Sequence, residues 1–318
     1  MSEFAIVTKN LSMTYGRGKS TVKALRGVDF KLHSGENYCL LGPNGTGKTT
    51  FIRCLLGLLK CEGYINVLGY EMPREREKVI SKIGYMPQAI SLYPDLSVKE
   101  SLHFFGKIFG INNRQIRIKS VNEILDLFLL REWKNTRVEN LSGGMKRRLS
   151  LACTLIHEPM LLILDEPTVG IDPMLRINFW NYFKELNERG TTIITTTHVM
   201  DEAEKSRLIG FMRDGKLIAE GTYHELRQMV PEKRKLIVEV NIENTEKLKE
   251  EISNKFGFKT HSESYKVEVF YNDDTILDEI IAAIKNKTKI RSIQTVEPSL
   301  EDTFIFFSAK NNEGGNSK

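Results

Sequence analysis

The sequence predicts an α/β fold built on a parallel sheet, followed by a smaller α+β domain. Three observations carry this. Short runs such as Asn37–Leu41, Leu161–Leu164 and Thr192–Thr196 read as strands buried on both faces. Stretches of helical period separate them, as parallel strands with crossover connections require. Beyond residue 235 the order becomes strand, helix, two strands, helix, strand, the pattern of a split βαβ or ferredoxin-like domain.

In chain order, Ile6-Val7 and Val28–Leu32 read as strands of a meander. Asn37–Leu41 runs at once into a glycine-rich turn and an apolar helix, Thr49 to Leu59. Residues 98–130 carry helical periodicity. The second part reads as strand Leu236–Asn241, helix Thr245–Phe256, strands within Phe258–Tyr271, helix Ile276–Lys285, strand Ile290–Thr295 and a helix from Leu300. Pro231-Glu232-Lys233-Arg234-Lys235 is a polar stretch opened by a helix breaker, so the boundary is expected there. The expected domains are 1–230, with a helical subdomain at about 90–158, then 231–308, then a disordered tail at 309–318.

The chain has 318 residues, 41% hydrophobic and 27% charged, which excludes a fibrous or wholly disordered protein. Its net charge of +5 is mild and does not by itself point to nucleic acid. Residues 99–150 hold 11 Lys or Arg against 5 Asp or Glu, while 231–318 hold 14 against 16. The basic segment includes Lys99, Lys107, Arg114, Arg117, Lys119, Arg131 and Lys134. It reads either as a solvated helix face or as a surface turned to a membrane partner and anionic headgroups. Cys39, Cys54, Cys61 and Cys153 show no metal or redox spacing and are expected to be reduced thiols. No apolar run approaches the about 20 residues of a membrane span, and MSEFAIVTKN has no signal-peptide pattern. A cytoplasmic protein is expected, reaching a membrane only through a partner.

Gly42-Pro43-Asn44-Gly45-Thr46-Gly47-Lys48-Thr49-Thr50 fits GxxxxGK[ST] between a strand and a helix. Its glycines let successive N–H groups converge on one anion, and the helix start adds a positive dipole end. Lys48 can reach the β- and γ-phosphates, and the Thr49 hydroxyl can ligate Mg²⁺. Gly16-Arg17-Gly18-Lys19-Ser20 repeats the GKS but lacks the first glycine and the flanking elements, so it reads as a basic loop. Leu161–Leu164 ends in Asp165-Glu166, where Asp165 can hold Mg²⁺ and Glu166 can polarise a water. Ser142-Gly143-Gly144 opens a helical run, either as an ordinary cap or as a second anion site. A second site has a use if two chains face each other head to tail, each closing over the other's nucleotide.

With these motifs, residues 3–228 resemble the ATPase subunit of ABC transporters. Gly42–Thr50 matches Walker A, Leu141–Met145 the signature motif and Leu161–Glu166 Walker B. Gln88 matches the Q-loop glutamine, Val169–Asp172 the D-loop, His198 the switch histidine and Tyr15 the A-loop aromatic. The resemblance implies a P-loop NTPase fold, with a RecA-like core, an antiparallel β subdomain and a helical subdomain. It implies ATP and Mg²⁺ as cofactors, with Tyr15 stacking on adenine, Gln88 and Asp165 near the metal, and His198 on the γ-phosphate. It also implies a homodimer or heterodimer of ATPase subunits closing on ATP, with Asp172 at the interface, and a membrane-spanning permease as partner. Two residues depart from the pattern: Val169 stands where many members have Ser, and Arg147 replaces a common Gln. Residues 236–308 resemble the accessory domain of ABC-2 type exporters, notably at Glu297–Phe304, which implies export. The competing reading is a soluble ATPase of this class acting on ribosomes or nucleic acid. It is disfavoured by the single ATPase unit and the lack of a coiled-coil insert.

Overall fold

The computed structural model describes residues 3–16, 20–230, 234–240, 245–271 and 274–313. It forms two compact units, Met1–Glu220 and Gly221–Lys318.

The strands of the first unit are β1 (Phe4–Tyr15), β2 (Val22–His33), β3 (Asn37–Leu41), β4 (Glu62–Val67), β5 (Tyr70–Glu71), β6 (Ile83–Met86), β7 (Leu161–Asp165), β8 (Thr192–Thr197), β9 (Leu208–Arg213) and β10 (Lys216–Gly221). Its helices are α1 (Lys48–Leu55), α2 (Arg76–Val79), α3 (Val98–Ile108), α4 (Arg114–Leu127), α5 (Gly143–Leu155), α6 (Pro173–Glu188) and α7 (Met200–Ala203). A four-stranded sheet in the order β2-β1-β4-β5 is antiparallel throughout. A six-stranded sheet runs β10-β9-β3-β8-β7-β6. In it β6, β7, β8, β3 and β9 pair in parallel, as the uninterrupted apolar runs predict.

Every residue of β3 and β7 is buried. The two-residue period of β7 sends Leu161 and Ile163 into one hydrophobic cluster and Leu162 and Leu164 into the other. The first cluster joins the antiparallel sheet and α1; the second holds the helical layer of α3 to α6. The segment 98–130 splits into two helices. Ser97 opens α3 with a reciprocal capping box and Asn113 caps α4. Helix α1 ends at Leu55, four residues before the expected Leu59, because Gly57 takes a left-handed conformation at φ +62°. Residues 17–19 of the basic loop lie outside the described residues.

The second unit contains α8 (Tyr223–Gln228), β11 (Arg234–Val240), α9 (Glu246–Phe256), β12 (Thr260–Glu263), β13 (Lys266–Tyr271), α10 (Leu277–Lys285), β14 (Ile290–Val296) and α11 (Leu300–Glu313). Its sheet order β12-β13-β11-β14, antiparallel at each step, is that of the split βαβ arrangement. Leu236, Val238, Val267, Val269, Ile252 and Ile280 fill its core.

The division falls ten residues before the expected boundary at 230/231. The capping box of Thr222 and Glu225 starts a new helix there, and Arg227 pairs with Glu297 across the same unit. The breaker Pro231 and its two followers, and the expected strand end at Asn241, lie outside the described residues. The tail expected at 309–318 is helical to Glu313, and 314–318 lie outside the described residues.

His157, just beyond α5, stacks on Phe109 with ring centroids 4.1 Å apart. Its Nε2 donates to the Ile83 carbonyl at 3.3 Å. Burial pushes its pKa down to about 4. Between about 6.5 and about 4 the unfolded chain therefore takes up a proton that the folded chain refuses, so acid favours unfolding. We expect the unfolding midpoint of the parent to drop over this window more steeply than that of His157→Phe. The difference has a ceiling of about 3 kcal/mol and is measured by melts across pH.

Candidate functional site

The turn between β3 and α1 is shaped by close backbone contact. Gly47 sits at φ +106°, and a Cβ there would lie 2.5 Å from the Ala24 carbonyl, so no other residue fits without strain. Helix α1 starts after Gly47 with no side-chain cap, leaving its first N–H groups free for an anion. Lys48 is only 5% exposed. Its Nζ donates to the carbonyls of Gly42 at 2.6 Å and Pro43 at 2.9 Å. Burial pulls the ammonium below its usual range, while Glu166 and Asp165 oppose that shift. Thr46 Oγ1 donates to Pro43 O at 2.9 Å and closes the turn.

The carboxyl end of β7 faces this turn across the sheet edge. Asp165 is fully buried. Its Oδ1 accepts from Thr196 Oγ1, while its Oδ2 is buried without a hydrogen-bond partner. Glu166, 5% exposed, accepts from Gln88 Nε2 at 3.0 Å through Oε2. Its Oε1 lies 3.1 Å from His198 Nδ1. Gln88, Glu166 and His198 come from three separate segments of chain, and the folded sheet gathers them at one carboxylate.

A cleft of about 590 Å³ is bordered by Tyr15, Asn44, Lys48, Thr49, Gln88 and Glu166, with Gly45, Gly47 and Thr50 also on its wall. Tyr15 is half-exposed at the rim, its hydroxyl 3.3 Å from Thr50 Oγ1. A larger cavity, about 810 Å³, lies at the opposite ends of the strands beside Lys82 and Arg189 and holds none of the motif residues.

Ser142, Gly143, Gly144 and Asp172 do not border the cleft. Ser142 caps α5 by accepting from Met145 N at 3.2 Å, and Asp172 caps α6 by accepting from Leu175 N at 2.9 Å. That bond, followed by the nearby Arg148 guanidinium at 3.3 Å, holds the Asp172 carboxyl below its usual range. The two helix starts adjoin: a Cβ on Gly144 would lie 3.8 Å from the Gly170 carbonyl. Exposed Val169, Met174 and Ile177 flank them.

Sequence reasoning passed over Thr196 and Glu202. Glu202 is 4% exposed and accepts from Thr168 Oγ1 and from Thr197 Oγ1, the latter at 2.8 Å. It thereby ties the segment before Val169 to the segment before His198. The sequence shows only an acid in a polar run; its burial comes from the tertiary fold.

Comparisons with known proteins agree with this geometry. The ABC transporter family matches residues 25–169, and the C-terminal domain of DrrA1-3-like ATP-binding proteins matches residues 221–306, starting where the second compact unit starts. The linearmycin resistance ATP-binding protein LnrL of Bacillus subtilis is 43% identical over 220 residues, 69% of each chain. The Nod factor export ATP-binding protein I of Burkholderia lata is 37% identical over 285 residues, 88% of this chain and 90% of that one. A dimeric ATP-binding cassette in a post-hydrolysis state with ADP and phosphate superposes with a TM-score of 0.64 at 28% identity, over 68% of this chain and 98% of that chain. The nucleotide-sized cleft, the motif order and these relatives together establish that the chain belongs to the ABC transporter ATPase family, as an ATP-binding subunit with a DrrA-like C-terminal domain.

Proposed function

We propose that this chain hydrolyses ATP at the cleft between Lys48 and Glu166 and couples that reaction to export through a separate membrane-spanning permease. The observation that carries the reading is the Glu166 carboxylate, held between Gln88 and His198 on the same cleft as the phosphate turn. ATP enters with its base on Tyr15, whose π-face accepts any purine, and its phosphates on the N–H groups from Gly42 to Thr50. Lys48 leaves its two carbonyl acceptors for the β- and γ-phosphates. Glu166 accepts hydrogen from the attacking water, Gln88 orients that water, and His198 donates to the γ-phosphate.

The donors present fit Mg²⁺. Asp165 Oδ2 is a buried carboxylate oxygen with no partner, and Thr49 and Gln88 border the cleft that Glu166, the next residue, also lines. Among the described residues no three His, Cys, Asp or Glu form a protein cage. One carboxylate plus hydroxyl and phosphate oxygens is the ligand set that this ion favours. When bound, it would neutralise charge on the transferring phosphoryl group.

The placement of Ser142, Gly143, Gly144 and Asp172 off the cleft supports a dimer in which they close over the nucleotide of a second ATPase subunit, identical or different. A shift from mostly open to mostly closed needs about 5.5 kcal/mol of differential ATP affinity. Two bridging γ-phosphates with charge-assisted bonds of about 1.5–3 kcal/mol each are of the right size.

A groove of about 410 Å³, lined by Arg53, Tyr85, Pro87, Leu92, Phe105 and Phe109, lies beside the Gln88 segment and suits a helix of the permease. Among the described residues no helix is long and apolar enough to cross a membrane. The subunit would therefore sit at the cytoplasmic membrane face through that partner. The relative named for Nod factor export supports the outward direction, and one named for linearmycin resistance is in keeping with it.

Two variants test the site. Lys48→Ala should weaken ATP binding by about 10–100-fold, the loss of one or more charge-assisted bonds, as read by fluorescent-nucleotide titration; parent affinity would remove the phosphate-turn argument. Glu166→Gln should keep ATP binding, lower kcat by about 10²–10⁴-fold and accumulate an ATP-dependent dimer in light scattering. The same variant, tagged and pulled from membranes with ATP, should bring a polytopic membrane protein in near-equal amount. Ribosomal components without one would overturn the export reading.

A further inference from the structure

Arg147 is one of the two residues that depart from the family pattern, and its surroundings are unusual for a charge. It sits in the second turn of α5, 4% exposed. A guanidinium offers five N–H donors in one plane. Here Nη1 donates to Gln88 O at 2.6 Å and to Pro87 O at 3.3 Å. Nη2 donates to Glu166 O and to Asp165 O at 3.3 Å, and Nε donates to Pro167 O at 3.2 Å. Every acceptor is a backbone carbonyl. Burying a charge this way is costly unless all its donors are satisfied.

The carbonyls belong to the two segments that carry the reacting side chains. Gln88 and Glu166 are joined at their side chains by a 3.0 Å hydrogen bond and at their backbones by one guanidinium, so the contacts close a ring. Glu166 also adopts φ +51°, a region that non-glycine residues occupy only when their surroundings impose it. Its N–H is held by the Thr196 carbonyl at 3.1 Å, and its own carbonyl by Arg147.

We propose that Arg147 is a positioning residue for hydrolysis: by holding the backbone of Gln88 and Glu166 together from the helix that Ser142 opens, it fixes the amide and the carboxylate at one point. A movement of the signature helix is thereby passed to the water-activating group of the same chain. This rests on the reading of Glu166 given above.

The test uses the full-length chain with Arg147→Met, which keeps length and packing but donates nothing, and Arg147→Lys, which keeps the charge but donates from a single atom. Thermal unfolding, fluorescent-nucleotide affinity, kcat and KM are measured for each. Arg147→Met should bind nucleotide within about threefold of the parent and lose roughly 10–100-fold in kcat, the scale set by a misplacement near 1 Å. Arg147→Lys should unfold at close to the parent temperature and remain roughly tenfold low in kcat. A folded variant of either kind with parent kcat, or with raised KM and parent kcat, overturns the proposal. If Arg147→Met does not fold, Arg147→Lys decides. Glu166→Gln is run alongside: if it turns over like the parent, the reading of Glu166 fails first, whereas an inactive Glu166→Gln beside a fully active Arg147 variant removes the positioning role alone.

Discussion

The position of the β7 carboxyl end constrains most of the first unit. Strand β7 is buried on both faces, pairs with β6 and β8, and delivers the Asp165 and Glu166 carboxyls to the sheet edge with almost no solvent exposure. Each consequence follows from the cost of that burial. Thr196 must donate to Asp165, Gln88 must reach Glu166, and His198 must stand against the same carboxylate. Lys48 must lie in the field of both acids, which offsets its own desolvation. Asp165 Oδ2 is buried without a hydrogen-bond partner.

The phosphate turn was legible because its signal is local. Nine consecutive residues carry the glycines, the lysine and the hydroxyl, and the strand and helix that flank them are equally short-range. The parallel sheet was legible because strands buried on both faces leave no polar alternation. The contacts that complete the site were not legible from spacing. Gln88 and Glu166 are 78 positions apart, and the bonds of Arg147 span 18 to 60 positions. Arg147 registered only as a departure, since nothing in a row of basic residues marks which one points inward. Glu202 was missed for the same reason.

The misplaced limits also have physical causes. Pro231 is a strong local breaker, but the capping box at Thr222 and Glu225 starts the new unit earlier. The tail looked disordered from its Asn and Gly content, yet α11 carries through to Glu313. The helix after the phosphate turn looked longer than it is because Leu58 and Leu59 continue its apolar face, whereas Gly57 ends it through its backbone.

Strand β7 contributes alternate side chains to both hydrophobic clusters of the first unit, so neither cluster retains a complete wall without it. The two layers therefore share one cooperative unit, and partial opening of one exposes apolar surface of the other. Amide protons of Leu161–Asp165, buried throughout, are expected among the slowest to exchange. The same arrangement penalises error, because a shift of β7 by one residue would exchange the partners of both layers at once. A misregistered sheet is excluded by its interior rather than by its edges.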